Sequence, residues 1–441
     1  MKIVVAGTGY VGLVTGVALA HIGHSVSCVD VDEAKIDKLN EGICPIYEEG
    51  LEELMKESKE RLTFTIDAKR EYKNADAIFI AVGTPERSDG SANLDYVYSV
   101  CDDIAEALER DCVVVVKSTV PVGTNEKIEE YLNREVKDGI SVSVASNPEF
   151  LAQGTAVYNT LHASRIVVGV ENEYSKKVME KIYKPLTMGE YNIPYLCMNR
   201  KSAEMVKYAS NNFLALKISF INEVSNFCEL IGADITDVTK GMSFDDRIGN
   251  KFLNSGIGYG GSCFPKDTKA LYSLANKYDM DFKTIRACID VNTNQKLHLF
   301  YKLEKEYGDN LRGMNVAVLG VTFKKGTDDL REAPSIDNVK ALLDYGVNVS
   351  VYDPVGLDNF KKLFGEKVDY YTDIDECINK KDLVMIMTEW DEIVKYDVNK
   401  FVELMETPII YDGRNCYAIS SLENLKLDYI SMGRKEINNL D

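Results

Sequence analysis

In Ile3-Val4-Val5-Ala6-Gly7-Thr8-Gly9-Tyr10-Val11-Gly12, four small apolar residues run directly into three glycines and the start of a helical pattern. Ile3 to Ala6 reads as a buried strand, and about Val11 to His21 as the helix behind it. Glycines at 7, 9 and 12 allow a tight turn and let a pyrophosphate approach the N–H groups of the helix start. Val26 to Val29 gives the next strand, and Asp30 closes it. A carboxylate at that point would bind a ribose 2′-hydroxyl and repel a 2′-phosphate. The pattern therefore points to NAD rather than NADP. A structural glycine turn or a flavin site would use the same glycines.

Working outward, short apolar runs recur at Ala77 to Val82, Val113 to Val116, Val142 to Ala145 and Ile166 to Val170, separated by helical patterns. That alternation predicts a doubly wound, mostly parallel sheet. From about Lys201 the pattern changes. Residues 201–232 read as one long helix stopped by Gly232, residues 241–262 as a Gly/Ser-punctuated loop, and Phe282 to Tyr307 as a second long helix. Met314 to Gly320 then starts another strand-and-glycine unit. Val349 to Tyr352 with Asp353, Leu383 to Met387 and Pro408 to Tyr411 follow. The expected fold is α/β: two Rossmann-like doubly wound domains joined by a central all-helical domain with a long connecting helix. The expected boundaries are 1–200, 201–309 and 310–441. The second unit lacks the full glycine fingerprint, which suits a ligand other than a second dinucleotide.

Composition narrows the function. At 441 residues, 45% hydrophobic and 27% charged, the chain has the make-up of a globular protein with a sizeable core. No apolar run approaches the roughly 20 residues of a membrane helix. The start of the chain lacks a small-residue cleavage site, so no signal peptide is read and the cytoplasm is the expected compartment. A net charge of −19 argues against broad nucleic-acid or anionic-membrane binding. Anionic ligands would need local Lys and Arg. Ten scattered cysteines form no metal or disulfide pattern, and four histidines have no ligand spacing, so no metal site is expected.

One cysteine stands apart by its surroundings: Gly258-Tyr259-Gly260-Gly261-Ser262-Cys263-Phe264-Pro265-Lys266-Asp267-Thr268. Pro265 suits the first turn of a helix, so the thiol would sit at a helix N-terminus with Lys266 beside it. Both features favour thiolate. A nucleophilic thiol and a hydride acceptor in one chain suggest oxidation through a covalent thioester. Taken as one of ten, Cys263 could equally be a small buried hydrophobe. Glu204, Lys207 and Asn211 share one face of the long helix. They form either a solvated stripe with a Glu204–Lys207 ion pair or, for Lys207 and Asn211, donors to an oxyanion. Polar clusters end the strands at Val82-Gly83-Thr84-Pro85, Lys117-Ser118-Thr119-Val120-Pro121 and Ser146-Asn147-Pro148-Glu149-Phe150-Leu151, where such sheets bind ligands or simply turn. Arg247, Lys324, Arg331 and Arg414 are loop cations, suited to the surface or to an anionic ligand.

Together these stretches resemble the UDP-glucose dehydrogenases, within the wider nucleotide-sugar dehydrogenases, over essentially the whole chain. The resemblance rests on Gly7 to Gly12, Gly83-Thr84-Pro85, Ser118 to Thr124, Asn147 to Leu151, Gly260 to Asp267 and Phe323-Lys324. It implies oxidation of UDP-glucose to UDP-glucuronate with two NAD per turnover, through a thiohemiacetal and a thioester on Cys263. Lys207 and Asn211 match stabilisers of the oxyanions, and Asp267 a carboxylate working with that lysine and a water. Glu149 matches a general base, and Thr119 a residue that positions water. For NAD the matching positions are Gly7, Gly9, Tyr10, Val11, Gly12, Asp30, Lys35, Thr84, Thr119, Lys266 and Arg331. For the nucleotide sugar they are Glu149, Phe150, Leu151, Lys207, Asn211, Arg247, Phe252, Leu253, Asn254, Ser255, Gly256, Gly260, Lys324 and Arg414. The arginine at 247 implies a homodimer in which it reaches the partner's substrate. Gln153 departs from the glutamate often found there. GDP-mannose and UDP-N-acetylhexosamine dehydrogenases are the rivals. Arg247-Ile248-Gly249 with Phe252-Leu253 looks like the UDP-glucose branch, and Ser262 stands where the acetylhexosamine branch often has His.

Overall fold

Valine-rich segments that alternate with helices can bury both faces of a sheet only if the helices cover them, and this chain does so twice. The computed structural model describes residues 1–440. It resolves into two units, Met1–Ser210 and Asn211–Asp441, whose boundary falls inside one helix, Arg200–Ile231.

The first unit is built on eight strands: β1 (Lys2–Ala6), β2 (Ser25–Val29), β3 (Leu62–Thr65), β4 (Ala77–Ile80), β5 (Cys112–Val116), β6 (Val142–Ser146), β7 (Ile166–Gly169) and β8 (Tyr195–Met198). Their order is β3-β2-β1-β4-β5-β6-β7-β8. All neighbours are parallel except β6 and β7. The order reverses between β1 and β4, and such a switch point opens a crevice at the strand ends. The helix Tyr10–His21 starts there. Gly7, at φ +97°, fits because a Cβ would lie 2.9 Å from the Ala81 carbonyl oxygen.

The second unit carries helices Ile235–Ser243, Phe264–Asn276, Lys283–Gln295 and His298–Tyr307 ahead of its own sheet. That sheet contains β9 (Asn315–Leu319), β10 (Asn348–Tyr352), β11 (Asp369–Tyr371), β12 (Leu383–Ile386), β13 (Ile409–Asp412), β14 (Asp428–Ser431) and β15 (Ile437–Asn438). The order is β11-β10-β9-β12-β13-β14-β15, parallel except for the last pair. The expected α/β class with two doubly wound sheets and a helical stretch between them is what forms.

The acid closing the second strand is used differently in the two sheets. Asp30 accepts from the Thr8 amide, the Thr8 hydroxyl and Lys35 on Oδ2, and from the Asp32 amide on Oδ1. Asp353 accepts from the Val321 and Thr322 amides, the Thr322 hydroxyl and the Trp390 indole on Oδ2. Its Oδ1 takes the Val355 and Gly356 amides.

The long helix ends as expected. Gly232 at φ +75° and Ala233 both return their amides to the Cys228 carbonyl. The second long helix does not run unbroken from Phe282 to Tyr307: it divides at Lys296–Leu297. The Lys296 carbonyl, which a continuous helix would bond internally, instead accepts from Asn338 Nδ2 at 2.7 Å. No helix among the described residues is long and apolar enough to cross a membrane.

Candidate active site

At the edge of the first sheet, Gly9 borders open space, since a Cβ there would meet no protein atom. Packing does not demand that glycine; close approach of a ligand would. Burial alone would raise the Asp30 carboxyl. The Thr8 hydroxyl and amide, the Asp32 amide and the Lys35 ammonium outweigh burial and hold it below the usual range. Among the described residues its Oδ1 takes one donor, leaving room for a ribose hydroxyl. These residues fit NAD. The Tyr10 hydroxyl accepts from the Gly154 amide at 2.8 Å and so ties the glycine turn to the loop bearing Gln153. Glu48 accepts from the same amide at 2.7 Å. The Thr84 hydroxyl donates to the Thr119 carbonyl at 2.9 Å, and Ser118 to the Val82 carbonyl at 2.6 Å, stitching two strand-end loops together.

Next to these loops lies a buried ion pair. Lys207 Nζ stands 2.7 Å from Glu149 Oε1, and Glu149 Oε2 accepts from the Leu151 amide at 2.6 Å. Burial pushes Glu149 upward, but Lys207, the Leu151 amide and Lys117 prevail and hold it low. A cavity of about 10 Å³ touches Ser118, Thr119, Pro148, Glu204 and Lys207. Phe150 lies beneath the Arg165 guanidinium, 3.9 Å from ring centre. The alternative Glu204–Lys207 ion pair does not form. Glu204 accepts from the Gly123 and Asn125 amides, at the start of helix Thr124–Glu135, and from Asn125 Nδ2.

In the second unit Cys263 is the N-cap of helix Phe264–Asn276, with Pro265 in its first turn. The thiol is half-buried, and Ser262 Oγ lies 3.8 Å from its sulfur. A helix start favours negative charge placed on that sulfur. Asp267, 1% exposed, accepts from Asn211 Nδ2 at 2.6 Å and from Lys266 Nζ at 2.5 Å. Asn212 Nδ2 reaches the Asp267 carbonyl at 3.2 Å.

The glycine run before the thiol is clamped from several sides. The Gly261 amide donates to the Arg331 carbonyl at 2.7 Å, and the ring of Phe323 fills the space a Gly261 Cβ would need. Asn292 bonds both the amide and the carbonyl of Tyr259. Further back, the Gly256 amide donates to Asn222, and Gly256 packs against the Gly413 carbonyl and Arg414. Arg414 itself donates to the carbonyls of Met387 and Phe323. Phe252 adopts φ +62°, with its ring 6.2 Å from Phe264; Leu253 and Ser255 are buried and Asn254 exposed.

Each unit thus gathers part of the expected set: Asp30, Lys35, Thr84, Thr119, Glu149, Phe150, Leu151 and Lys207 in the first; Asn211, Gly256, Gly260, Cys263, Lys266, Asp267, Arg331 and Arg414 in the second. Arg331 grips Asp329 through two nitrogens, and Lys324 lies over the Phe323 ring. Arg247 stands apart on an exposed turn, paired with Asp245. Sequence reasoning missed Lys117, Asn147, Arg165, Asn212 and Asn292. Lys117 and Asn147 lay inside quoted strand-end clusters. The other three carried no local signal.

Family comparisons agree with this layout. The chain matches the UDP-glucose/GDP-mannose dehydrogenase family in its NAD binding domain over residues 1–187, its central domain over 201–294 and its UDP binding domain over 317–419. A UDP-glucose 6-dehydrogenase of Bacillus subtilis (strain 168) is 47% identical over 99% of this chain and 98% of its own. One of Rhizobium meliloti (strain 1021) is 44% identical over 99% and 100%. Among solved structures, a UDP-glucose dehydrogenase from Pyrobaculum islandicum superposes with a TM-score of 0.90 at 36% identity, covering 98% of both chains. A UDP-D-ManNAc dehydrogenase from Pyrococcus horikoshii gives 0.86 at 26%, covering 98% and 99%. With the three parts matched in order and relatives this similar from end to end, the chain belongs to the UDP-glucose/GDP-mannose dehydrogenase family.

Proposed function

We propose that the protein oxidises UDP-glucose at carbon 6 to UDP-glucuronate, using two NAD per turnover. The observation that carries this reading is Cys263 capping a helix directly before the Lys266–Asp267–Asn211 cluster, in a chain that also carries a dinucleotide turn. Bound NAD supplies the hydride acceptor. Asp30 and Lys35 hold the adenosine side, with Gly7, Gly9, Tyr10, Val11 and Gly12 along the pyrophosphate. Thr84, Thr119, Lys266 and Arg331 complete the cofactor set. Phe150, Leu151, the 252–256 loop, Gly260, Lys324 and Arg414 bind the nucleotide sugar.

The alcohol loses a hydride and a proton to give an aldehyde. The Cys263 sulfur adds to that carbon to form a thiohemiacetal. Loss of a second hydride and proton leaves a thioester, and water cleaves it to the carboxylate, restoring the thiol. Lys207 and Asn211 donate to the oxyanions. Glu149, held as carboxylate, accepts the proton of the attacking water with Thr119 positioning it, and Asp267 works beside Lys266 and Asn211. Overall, one alcohol, one water and two NAD yield one carboxylate, two NADH and three protons. The functional division at 1–200, 201–309 and 310–441 is part of this reading.

A homodimer and a cytoplasmic setting belong to the same proposal. Phe213, Phe220 and Phe227 recur every seven residues on the long helix and are 63%, 52% and 58% exposed. An apolar stripe of that size on a helix calls for a partner helix. Arg247, exposed near that helix in sequence, is then available to a second copy's substrate. Ten cysteines without a disulfide among them suit a reducing compartment.

A panel of nucleotide sugars with NAD, reading NADH per mole of product, tests the reaction. UDP-glucose should give two, while GDP-mannose and UDP-N-acetylhexosamines give little. One NADH with an aldehyde product sinks the thioester route. In Cys263→Ser an oxygen ester should persist on the protein, visible by intact mass, while turnover collapses.

A further inference from the structure

Two lysines face the buried Glu149. Lys117 directly follows β5, and its ammonium donates to Asn147 Oδ1 at 3.1 Å and to the Asn147 carbonyl at 3.4 Å. Asn147 is 1% exposed and held on every side. Its amide donates to the Val116 carbonyl at 2.9 Å, its Nδ2 to the Val167 carbonyl at 2.8 Å, and its Oδ1 also accepts from the Tyr183 hydroxyl. Two strands and a helix therefore fix this residue, and two positions later the chain presents Glu149.

A carboxylate this deeply buried needs compensation. Lys207 alone would give a neutral pair. Lys117 sets a second ammonium against the same carboxylate, more than a purely structural salt bridge needs. The groups facing Lys117 are Glu149 and Asn147 from the segment after β6 and Lys207 from the long helix. The Tyr183 hydroxyl, from helix Glu173–Thr187, lies beyond Asn147. Burial pulls the Lys117 ammonium down to about 8; Glu149 opposes this and Lys207 adds to it.

We propose that Lys117 is a positioning residue for Glu149: its ammonium anchors the Asn147-Pro148-Glu149 turn and supplies the second positive charge of a buried lysine–carboxylate–lysine cluster. This rests on the reading of Glu149 as the base of the hydrolytic step. A bound nucleotide sugar or a tetrahedral oxyanion brings further negative charge, and two ammonium groups beside Glu149 keep it ionised, and so able to accept a proton, when that charge arrives.

The pH profile of NADH formation separates this role from simple structural support. The unsubstituted enzyme should show an inflection near pH 8, where Lys117 gives up its proton. Lys117→Arg keeps the charge, so the acid limb should stay and the inflection vanish. Lys117→Met removes the charge that favours ionised Glu149, so its acid limb should move up by about 0.5 pH unit or more. A Lys117→Met acid limb superimposed on that of the unsubstituted enzyme, in protein with an unchanged melting midpoint, overturns the proposal. If that variant does not fold, an inflection near pH 8 retained by Lys117→Arg overturns it instead. Glu149→Gln is the separate control. Full activity there removes the reading of Glu149 itself, whereas a loss there with unmoved Lys117 profiles leaves Glu149 standing and removes Lys117.

Discussion

Gly260 shows how little freedom the thiol loop has. A Cβ there would sit 2.9 Å from the Glu332 carbonyl carbon and nearer still to its oxygen, and neither backbone atom can rotate away. Glu332 is itself in the left-handed region at φ +54° and bonded through its side chain to Lys296 at 2.5 Å. Gly260→Ala should therefore shift the Cys263 loop rather than its neighbour. A displacement on the scale of 1 Å costs on the order of 100-fold in rate. The expected outcome is a loss of that order in kcat, with a melting midpoint within a few degrees of the parent. Unaltered kcat would show that the loop tolerates the extra carbon. The sequence pointed to this glycine because it flanks a cysteine, but not to the reason for it. The opposing atoms come from residues some seventy positions later, and no local pattern announces such a contact. The roles of Asn147 and Asn292 carried no sequence signal for the same cause: a buried asparagine becomes informative only once its bonding partners are known.

Among the elements, the helix Arg200–Ile231 does the most varied work. Lys207 and Asn211 occupy successive turns near its start, and Glu229 anchors its end. Glu229 accepts from Lys302 Nζ at 2.9 Å, the Gly433 amide at 2.8 Å and His298 Nε2 at 3.4 Å, so three segments of the second unit meet on one carboxylate. Burial would raise this acid, but those donors bring it down from 4.5 to about 2. A depressed folded-state pKa stabilises above the unfolded value, and that contribution disappears as pH falls through the folded value. The shift corresponds to about 3 kcal/mol, or roughly 2 once discounted for partial exposure. Glu229→Gln should lower the unfolding midpoint clearly at pH 7, and the gap from the parent should close between about pH 4.5 and pH 2. A gap constant with pH would mean that packing, not charge, is lost. The helix itself was legible in advance, because its apolar periodicity and Gly232 are local signals. The break at Lys296–Leu297 was not: Asn338 captures a carbonyl there from far along the chain. The Glu204–Lys207 pairing failed for a similar reason, since each side chain has a better partner outside the helix.

At the scale of the molecule, the proposed reaction assigns roles to residues in each unit, and the dimer proposal adds a second chain. A Cys263→Ala chain and an Arg247→Ala chain should each be nearly inactive alone. Mixed heterodimers contain one site with both an intact thiol and an intact partner arginine, so they should recover up to about a quarter of parental activity for a one-to-one mixture at random assembly. No recovery, in a heterodimer shown to form by native mass spectrometry, removes the cross-subunit role of Arg247. The mostly parallel polarity of the strands was readable at this scale because βαβ units leave few alternatives, while the order of the strands was not read. The fate of the second sheet's acid was less so. Asp30 and Asp353 occupy the same place in one strand–turn–strand plan, yet Asp353 takes six donors, among them an indole from Trp390. A carboxylate offers about four lone-pair sites. Asp353 thus has both oxygens spent within its own unit, a tie rod, whereas Asp30 gathers three of its four donors on Oδ2 and keeps Oδ1 with a single one, the oxygen an incoming hydroxyl would meet.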